Sequence, residues 1–201
     1  MAERLGLVPV ITRAMVTKAL QLVEELPRPI RIAVNLSARD LASTDAMRAL
    51  SRLLATAGPK PCRLDFEVTE TAVMSDVTEA SQGLLMLLAH GARISLDDFG
   101  TGHSSLSRVQ TLPLDRIKID SSFVGNIQSD RASQAIVKTI LSLCQNLGLS
   151  CVVEGVETAE QLQTLSALGA VLFQGYYFGR PQTAEKVLEF HRGAAASQLS
   201  A

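Results

Sequence analysis

The feature that most constrains this chain is an alternation between two periodicities. Short apolar or β-branched runs lie at Arg31–Leu36, Arg63–Val68, Arg93–Leu96, Arg116–Ile119, Ser150–Val153 and Ala170–Phe173. Between them, the stretches 10–26, 45–57, 78–90, 131–147, 158–168 and 184–191 carry apolar residues three and four apart, the spacing of one helix face. Thr158 followed by Gln161 reads as a capping box that opens one of these helices. Gly91, Gly148 and Gly169 each stand just ahead of a strand, where a helix ends and the chain turns back. Strands alternating with helices build successive βα units, so the expected fold class is α/β with a largely parallel sheet.

The strand ends carry the functional information. Asn35, Glu67, Asp97 with Asp98, Lys118, Glu154 and Gln174 stand at or near the C-terminal ends of the six runs. In a closed βα barrel that rim is where active sites are assembled from several strands at once. A doubly wound open sheet would gather its polar groups at one crevice and open with a glycine-rich phosphate loop. The sequence has no GxGxxG run and no Walker lysine loop, so a TIM-like (β/α)8 barrel is preferred. One carboxylate at a strand end is commonly a cap, and Asp97-Asp98 before glycine can be turn chemistry alone. Six polar strand ends in succession are harder to attribute to chance.

The residue types narrow the chemistry. Four carboxylates and an amide, with no rim histidine or thiol, suit hard divalent cations such as Mg²⁺ or Mn²⁺ rather than zinc or copper. Neighbouring aspartates on a regular strand face opposite ways. The Gly100-Thr101-Gly102 segment is expected to let the backbone turn so that Asp98 swings toward the side Asp97 faces. Such a pair can bridge two cations, a recurrent device for phosphodiester hydrolysis. Lys118 adds a cation at the same rim, and Gln174 can orient a water or a substrate group.

Composition excludes other classes. Of 201 residues, 47% are hydrophobic, and 19 Lys and Arg stand against 20 Asp and Glu. That is too apolar for a disordered chain and lacks the basic surplus of a DNA or RNA binder held by bulk charge. Cys62, Cys144 and Cys151 are odd in number and show no CxxC spacing, so neither a disulfide framework nor a zinc site is expected. No apolar run approaches the roughly 20 residues of a membrane span. A cytoplasmic setting is expected.

At these residues the sequence resembles the EAL-domain cyclic di-GMP phosphodiesterases. The matching segments are Asn35-Leu36-Ser37, Glu67-Val68-Thr69-Glu70, DDFGTG at 97–102 and Lys118-Ile119-Asp120 with Ser122-Phe123-Val124. Glu154-Gly155-Val156-Glu157-Thr158 and Gln174-Gly175-Tyr176 complete a match that runs from Ala2 to Pro181. The resemblance implies a barrel that cuts one phosphodiester of cyclic di-GMP to give linear pGpG, using Mg²⁺ or Mn²⁺ at a two-metal site. Asn35, Glu67 and Asp97 would hold one metal, and Asp97, Asp98 and Glu154 the second. Lys118 would bind the attacking water, with Gln174 beside it. Glu70 would tether the Gly100–Ser105 loop, which family members use to link metal, substrate and dimer contacts. Asp120 and Glu157 would belong to the substrate-side rim, and Tyr176 would either pack near a guanine or be a structural aromatic.

The match has departures. His103 stands where a Tyr is usual, Ser121 replaces a frequent Arg, and Ala170-Val171 replaces a common Cys-Asp. The Glu-Ala-Leu run that names the family, whose Glu is a metal ligand, is absent from this sequence. Against the roughly 250 residues of a typical barrel, the chain is expected to lack its first strands. It is therefore expected to hold an EAL-like barrel domain over 1–191 and a flexible Ala/Ser-rich tail over 192–201. Activity of such a chain would be low. The alternatives are a catalytically inactive cyclic di-GMP receptor and a protein-interaction domain. A homodimer and an upstream sensory or regulatory domain are the partners the resemblance suggests.

Overall fold

Each of the six expected strands forms, and strand order in space equals order in the chain. A computed structural model describes residues 6–74, 76–101 and 109–198. Helix α1 (Val8–Glu25) leads to β1 (Ile32–Leu36), the short α2 (Ala38–Leu41) and α3 (Thr44–Ala55). Then come β2 (Leu64–Thr69), the short α4 (Glu70–Met74), α5 (Val77–Leu88) and β3 (Arg93–Phe99). Next are β4 (Arg116–Ile119), α6 (Arg131–Leu147), β5 (Ser150–Val153), α7 (Ala159–Ala167), β6 (Leu172–Phe173) and α8 (Ala184–Gln198). Every neighbouring pair in the sheet is parallel, in the order β1-β2-β3-β4-β5-β6.

That order fixes the architecture. Parallel crossovers are right-handed, so five in one direction lay their helices on the same face of the sheet. The strand residues obey this division. Leu64, Phe66 and Val68 of β2, Ile94 and Leu96 of β3, and Ile117 and Ile119 of β4 are fully buried in the core beneath the helices. The alternate residues on those strands are Asp65 and Glu67, Ser95 and Asp97, and Arg116 and Lys118. They line the opposite face, which in a barrel is the interior.

The sheet is open rather than closed. β1 pairs with β2 and β6 with β5, and no pairing joins β1 to β6. Across the opening, α8 approaches α1 through an Arg192–Glu25 ion pair of 3.2 Å. Between them lies a cavity of about 760 Å³, bordered by Met15 and Leu22 of α1, Ile32 and Val34 of β1 and Leu188 of α8.

Most element boundaries differ from expectation by a residue or two, and three differences matter here. β3 continues to Phe99, so Asp97 and Asp98 lie within the strand and not beyond it. β6 contains Leu172 and Phe173 alone and, among the described residues, pairs on one side only, with β5. α8 continues past residue 191 to Gln198, consistent with the high helix propensity of Ala194, Ala195 and Ala196. The Thr158–Gln161 capping box forms with both reciprocal bonds. All three cysteines are free thiols. Among the described residues, no helix is long and apolar enough to cross a membrane.

Candidate active site

Lys118 is the centre of the polar face. It is 4% exposed, and its ammonium lies 2.6 Å from Glu154 Oε1, 2.8 Å from Glu67 Oε1 and 3.1 Å from Asp97 Oδ1. Three strand ends, β2, β3 and the residue after β5, thus converge on one side chain of β4. Burial opposes the Lys118 charge, but the bonds to Glu154 and Glu67 outweigh it and hold its pKa above the ordinary lysine range. Burial also pushes the Glu154 carboxyl above the usual carboxylate range, against the pull of Lys118 and with help from Asp97 and Glu67.

A bulge places Asp98 in the same group. β3 pairs with β4 at Leu96–Ile117 and again at Phe99–Ile119, so Asp97 and Asp98 together face the single residue Lys118. Asp98 itself takes the left-handed backbone, with φ of 55°. The turn expected of the following glycines therefore begins two residues earlier, on an aspartate, one of the few non-glycine types that tolerate it. Gly100 has a separate reason to be glycine: its φ is +99°, and a Cβ there would lie 2.9 Å from the Phe123 ring. Burial, then repulsion from Asp97 and Asp120, raises the Asp98 pKa despite Lys118.

Oxygens from Asp97, Asp98 and Glu154 all lie within 4.8 Å of one another. Together with Glu67, the group holds four carboxylates and one ammonium. Its donors are all oxygen, and it already gathers around a cation, so it fits a hard divalent metal in both chemistry and charge. Asn35 aligns with Glu67 in the β1–β2 register, which puts both on the same face at the same level. Asn35 is exposed and makes no side-chain hydrogen bond among the described residues.

The remaining expected residues are spread around the rim. Asp120 follows β4 and caps the turn Ser121–Phe123, accepting from the Ser122 amide at 2.9 Å. Burial acts against its charge, but the hydrogen bonds from Ser122 and Ser121 prevail and lower its pKa. Glu70 opens α4, is 5% exposed, and its Oε2 has no hydrogen-bond partner among the described residues. The loop it was expected to tether lies largely outside the described residues, as does His103. Glu157 is exposed just before the capped start of α7.

Gln174 extends the β5–β6 ladder through its backbone, accepting from Val156 and donating to Val153. Its side chain makes no hydrogen bond to the carboxylates; it borders a cavity of about 560 Å³ with Phe173, Tyr176, Phe178 and Arg180. There the Arg180 guanidinium lies 4.5 Å from the centre of the Tyr176 ring, a cation–π contact.

Two polar arrangements were not foreseen. Below the acidic group, Asp65 of β2 binds Arg31 at 2.6 Å through one oxygen and Arg116 at 3.1 Å through the other. Arg116 also donates to Ser150 Oγ, so the pair spans four strands or strand entries. The second is Asp40 in α2, wholly buried and bonded to Thr12 and Ser37. In the sequence, the first looks like a lone acid in an apolar run and the second like a solvated helix residue.

Residues 1–181 match the model of the EAL domain. The chain is 36% identical over 170 residues to the cyclic di-GMP phosphodiesterase RocR of Pseudomonas aeruginosa, covering 85% of this chain and 43% of that protein. It is 42% identical over 180 residues to a signalling protein of Caulobacter vibrioides, covering 90% of this chain and 22% of that one. The chain thus spans between about a fifth and two fifths of these relatives. Among solved structures, the PaMucR phosphodiesterase in complex with c-di-GMP superposes with a TM-score of 0.85 at 36% identity, covering 92% of this chain and 77% of that one. The manganese and cyclic di-GMP complex of BlrP1 from Klebsiella pneumoniae gives 0.73 at 37% identity, over 81% of this chain and 42% of that one.

Proposed function

Because this chain belongs to the EAL domain family, we propose that its polar face is the cation-binding and substrate-cleaving face of a cyclic di-GMP phosphodiesterase yielding linear pGpG. The observation that carries this reading is the convergence of Glu67, Asp97 and Glu154 on Lys118, with Asp98 brought alongside by the bulge. A domain that only bound another protein would have no physical need to bury an ammonium among carboxylates.

In the proposed site, Asn35, Glu67 and Asp97 would hold one Mg²⁺ or Mn²⁺, and Asp97, Asp98 and Glu154 the other. Such ions would supply positive charge at the phosphoryl oxygens and lower the pKa of a water toward neutrality. Lys118 donates to that water or to a phosphoryl oxygen from a fixed position on β4. Gln174 orients a water or a substrate group from the rim. Asp120 and Glu157 flank the substrate side, Glu70 secures the loop beyond Gly100, and Tyr176 offers a face for a guanine. The printed complexes of two relatives with c-di-GMP support the choice of substrate.

The test is incubation of the chain with cyclic di-GMP and Mn²⁺, followed by chromatography for pGpG and calorimetry for binding. Little pGpG is expected from this sequence by itself, since it contains no Glu-Ala-Leu run. Fusing a segment bearing that run ahead of α1 is expected to raise turnover. Binding heat without cleavage in both forms would make the chain a receptor. No heat in either form would leave an interaction domain.

A further inference from the structure

We propose that Asp40 is a positioning residue for Asn35, fixing from the outer side the strand end that carries this ligand. The proposal rests on the assignment of Asn35 to the cation site. β1 is an edge strand, held by hydrogen bonds on its β2 side alone. Asn35 lies one residue from its end, exposed and without a side-chain bond among the described residues, so its direction is set by the backbone that follows it.

That backbone is tied down by Asp40. One oxygen, Oδ2, accepts three hydrogen bonds: from Ser37 N at 3.0 Å, Ser37 Oγ at 2.9 Å and Thr12 Oγ1 at 2.9 Å. Ser37 returns a bond by accepting from the Asp40 amide at 3.2 Å. Ser37 is two residues beyond Asn35, and Thr12 belongs to α1. The knot therefore joins the open end of β1 to a helix packed on its outer side. Asp40 is wholly buried, and its bond to Thr12 is buried with it, while the bonds to Ser37 are part-buried.

Its other oxygen, Oδ1, has no hydrogen-bond partner among the described residues. Asp40 also borders a cavity of about 90 Å³ between Val10 of α1 and Ala49 of α3. In Asp40→Asn the amide oxygen takes the Oδ2 place while the NH2 group takes the unpartnered one, so all three bonds survive. Asp40→Ala removes all three. The two substitutions thus separate the clamp from the charge.

The experiment follows the Asn35 side-chain amide pair by NMR in the ¹⁵N-labelled chain, with exchange of the Ser37 amide and Mn²⁺ affinity as further readouts. Asp40→Ala is expected to move the Asn35 pair, speed Ser37 exchange by about 10-fold or more and weaken Mn²⁺ binding on the order of 10-fold. Asp40→Asn is expected to restore all three. A folded Asp40→Ala variant with unmoved Asn35 signals overturns the proposal. If that variant does not fold, Thr12→Val, which removes one bond of the three, must move the same signals by a smaller amount, and unmoved signals again overturn it. Absence of Mn²⁺ binding in the native chain would instead overturn the ligand assignment, and the Asn35 signals still decide the positioning.

Discussion

Glu154 Oε1 stands 2.6 Å from the Lys118 ammonium, the shortest of three ion pairs that draw carboxylates from different strand ends onto one cation. The ammonium is therefore a structural counterion as well as a candidate catalytic group. Replacing it leaves three partly buried carboxylates facing one another. Lys118→Met is expected to cost about 3 kcal/mol of stability in metal-free protein. Added Mn²⁺ should raise the melting temperature of the variant more than that of the native chain, because an external cation takes over the neutralisation. Thermal melts with and without Mn²⁺ check this, and equal shifts would refute it.

Asp98 gives a pH prediction for the metal-free protein. Its pKa is raised by burial and by Asp97 and Asp120. A raised carboxyl pKa means that its contribution is complete below the ordinary value of 3.8 and is lost as pH climbs through the raised value. Asp98→Asn, which keeps a residue type suited to the left-handed backbone, is expected to be more stable than the native chain at pH 7. The advantage should shrink as pH falls toward 4. Melting temperatures across that range test it, and a constant difference would sink it.

Asp97 belongs to both proposed cation sets. Asp97→Asn is expected to weaken Mn²⁺ binding by more than about 100-fold and to abolish pGpG formation in any active form. Calorimetry with Mn²⁺ provides the readout, and binding within a few-fold of native would remove Asp97 from the site.

Asp65 joins Arg31 and Arg116 beneath the acidic group, and its side chain is 6% exposed. Asp65→Asn leaves both guanidiniums without their charge partner, a loss of about 3 kcal/mol or some 6–12 °C in melting temperature. Mn²⁺ affinity measured well below the transition should stay near native. A large affinity change would mean that this layer also shapes the site.

Gly155 follows Glu154 directly and has φ of +73°, and a Cβ there would lie 2.4 Å from Ser121 Cβ. Gly155→Ala is expected to displace the Glu154 backbone and to cost about 2 kcal/mol or more. Both Mn²⁺ affinity and stability should fall, in contrast to Asp65→Asn. Unchanged affinity in a folded variant would count against the placement of Glu154.

Much of this was legible in the sequence because each level pointed the same way. Alternating periods marked the six strands, and the polar residue at each strand end marked the functional face. Lys118, Glu67, Asp97 and Glu154 come together as their strand positions imply. The bulge was not legible: Asp97-Asp98 before glycine predicts a turn, but which residue bends depends on pairing with β4. Asp40 and Asp65 were hidden for a related reason. Their roles depend on Thr12, Arg31 and Arg116, partners 28, 34 and 51 residues away, and local pattern carries no such distance. The shortness of β6 reflects its place at the edge of the sheet, which periodicity does not encode.

The strict correspondence between strand order and chain order bears on how the molecule is made. Each strand after β1 leaves the ribosome with its upstream sheet neighbour already synthesised, so pairing need not wait for a distant segment. The acidic group is then assembled in sequence. Glu67 and Asp97, on neighbouring strands and offset by two residues, both precede Lys118 in the chain. Lys118 arrives on the next strand and neutralises them, and Glu154 is delivered last, to a cation already in place.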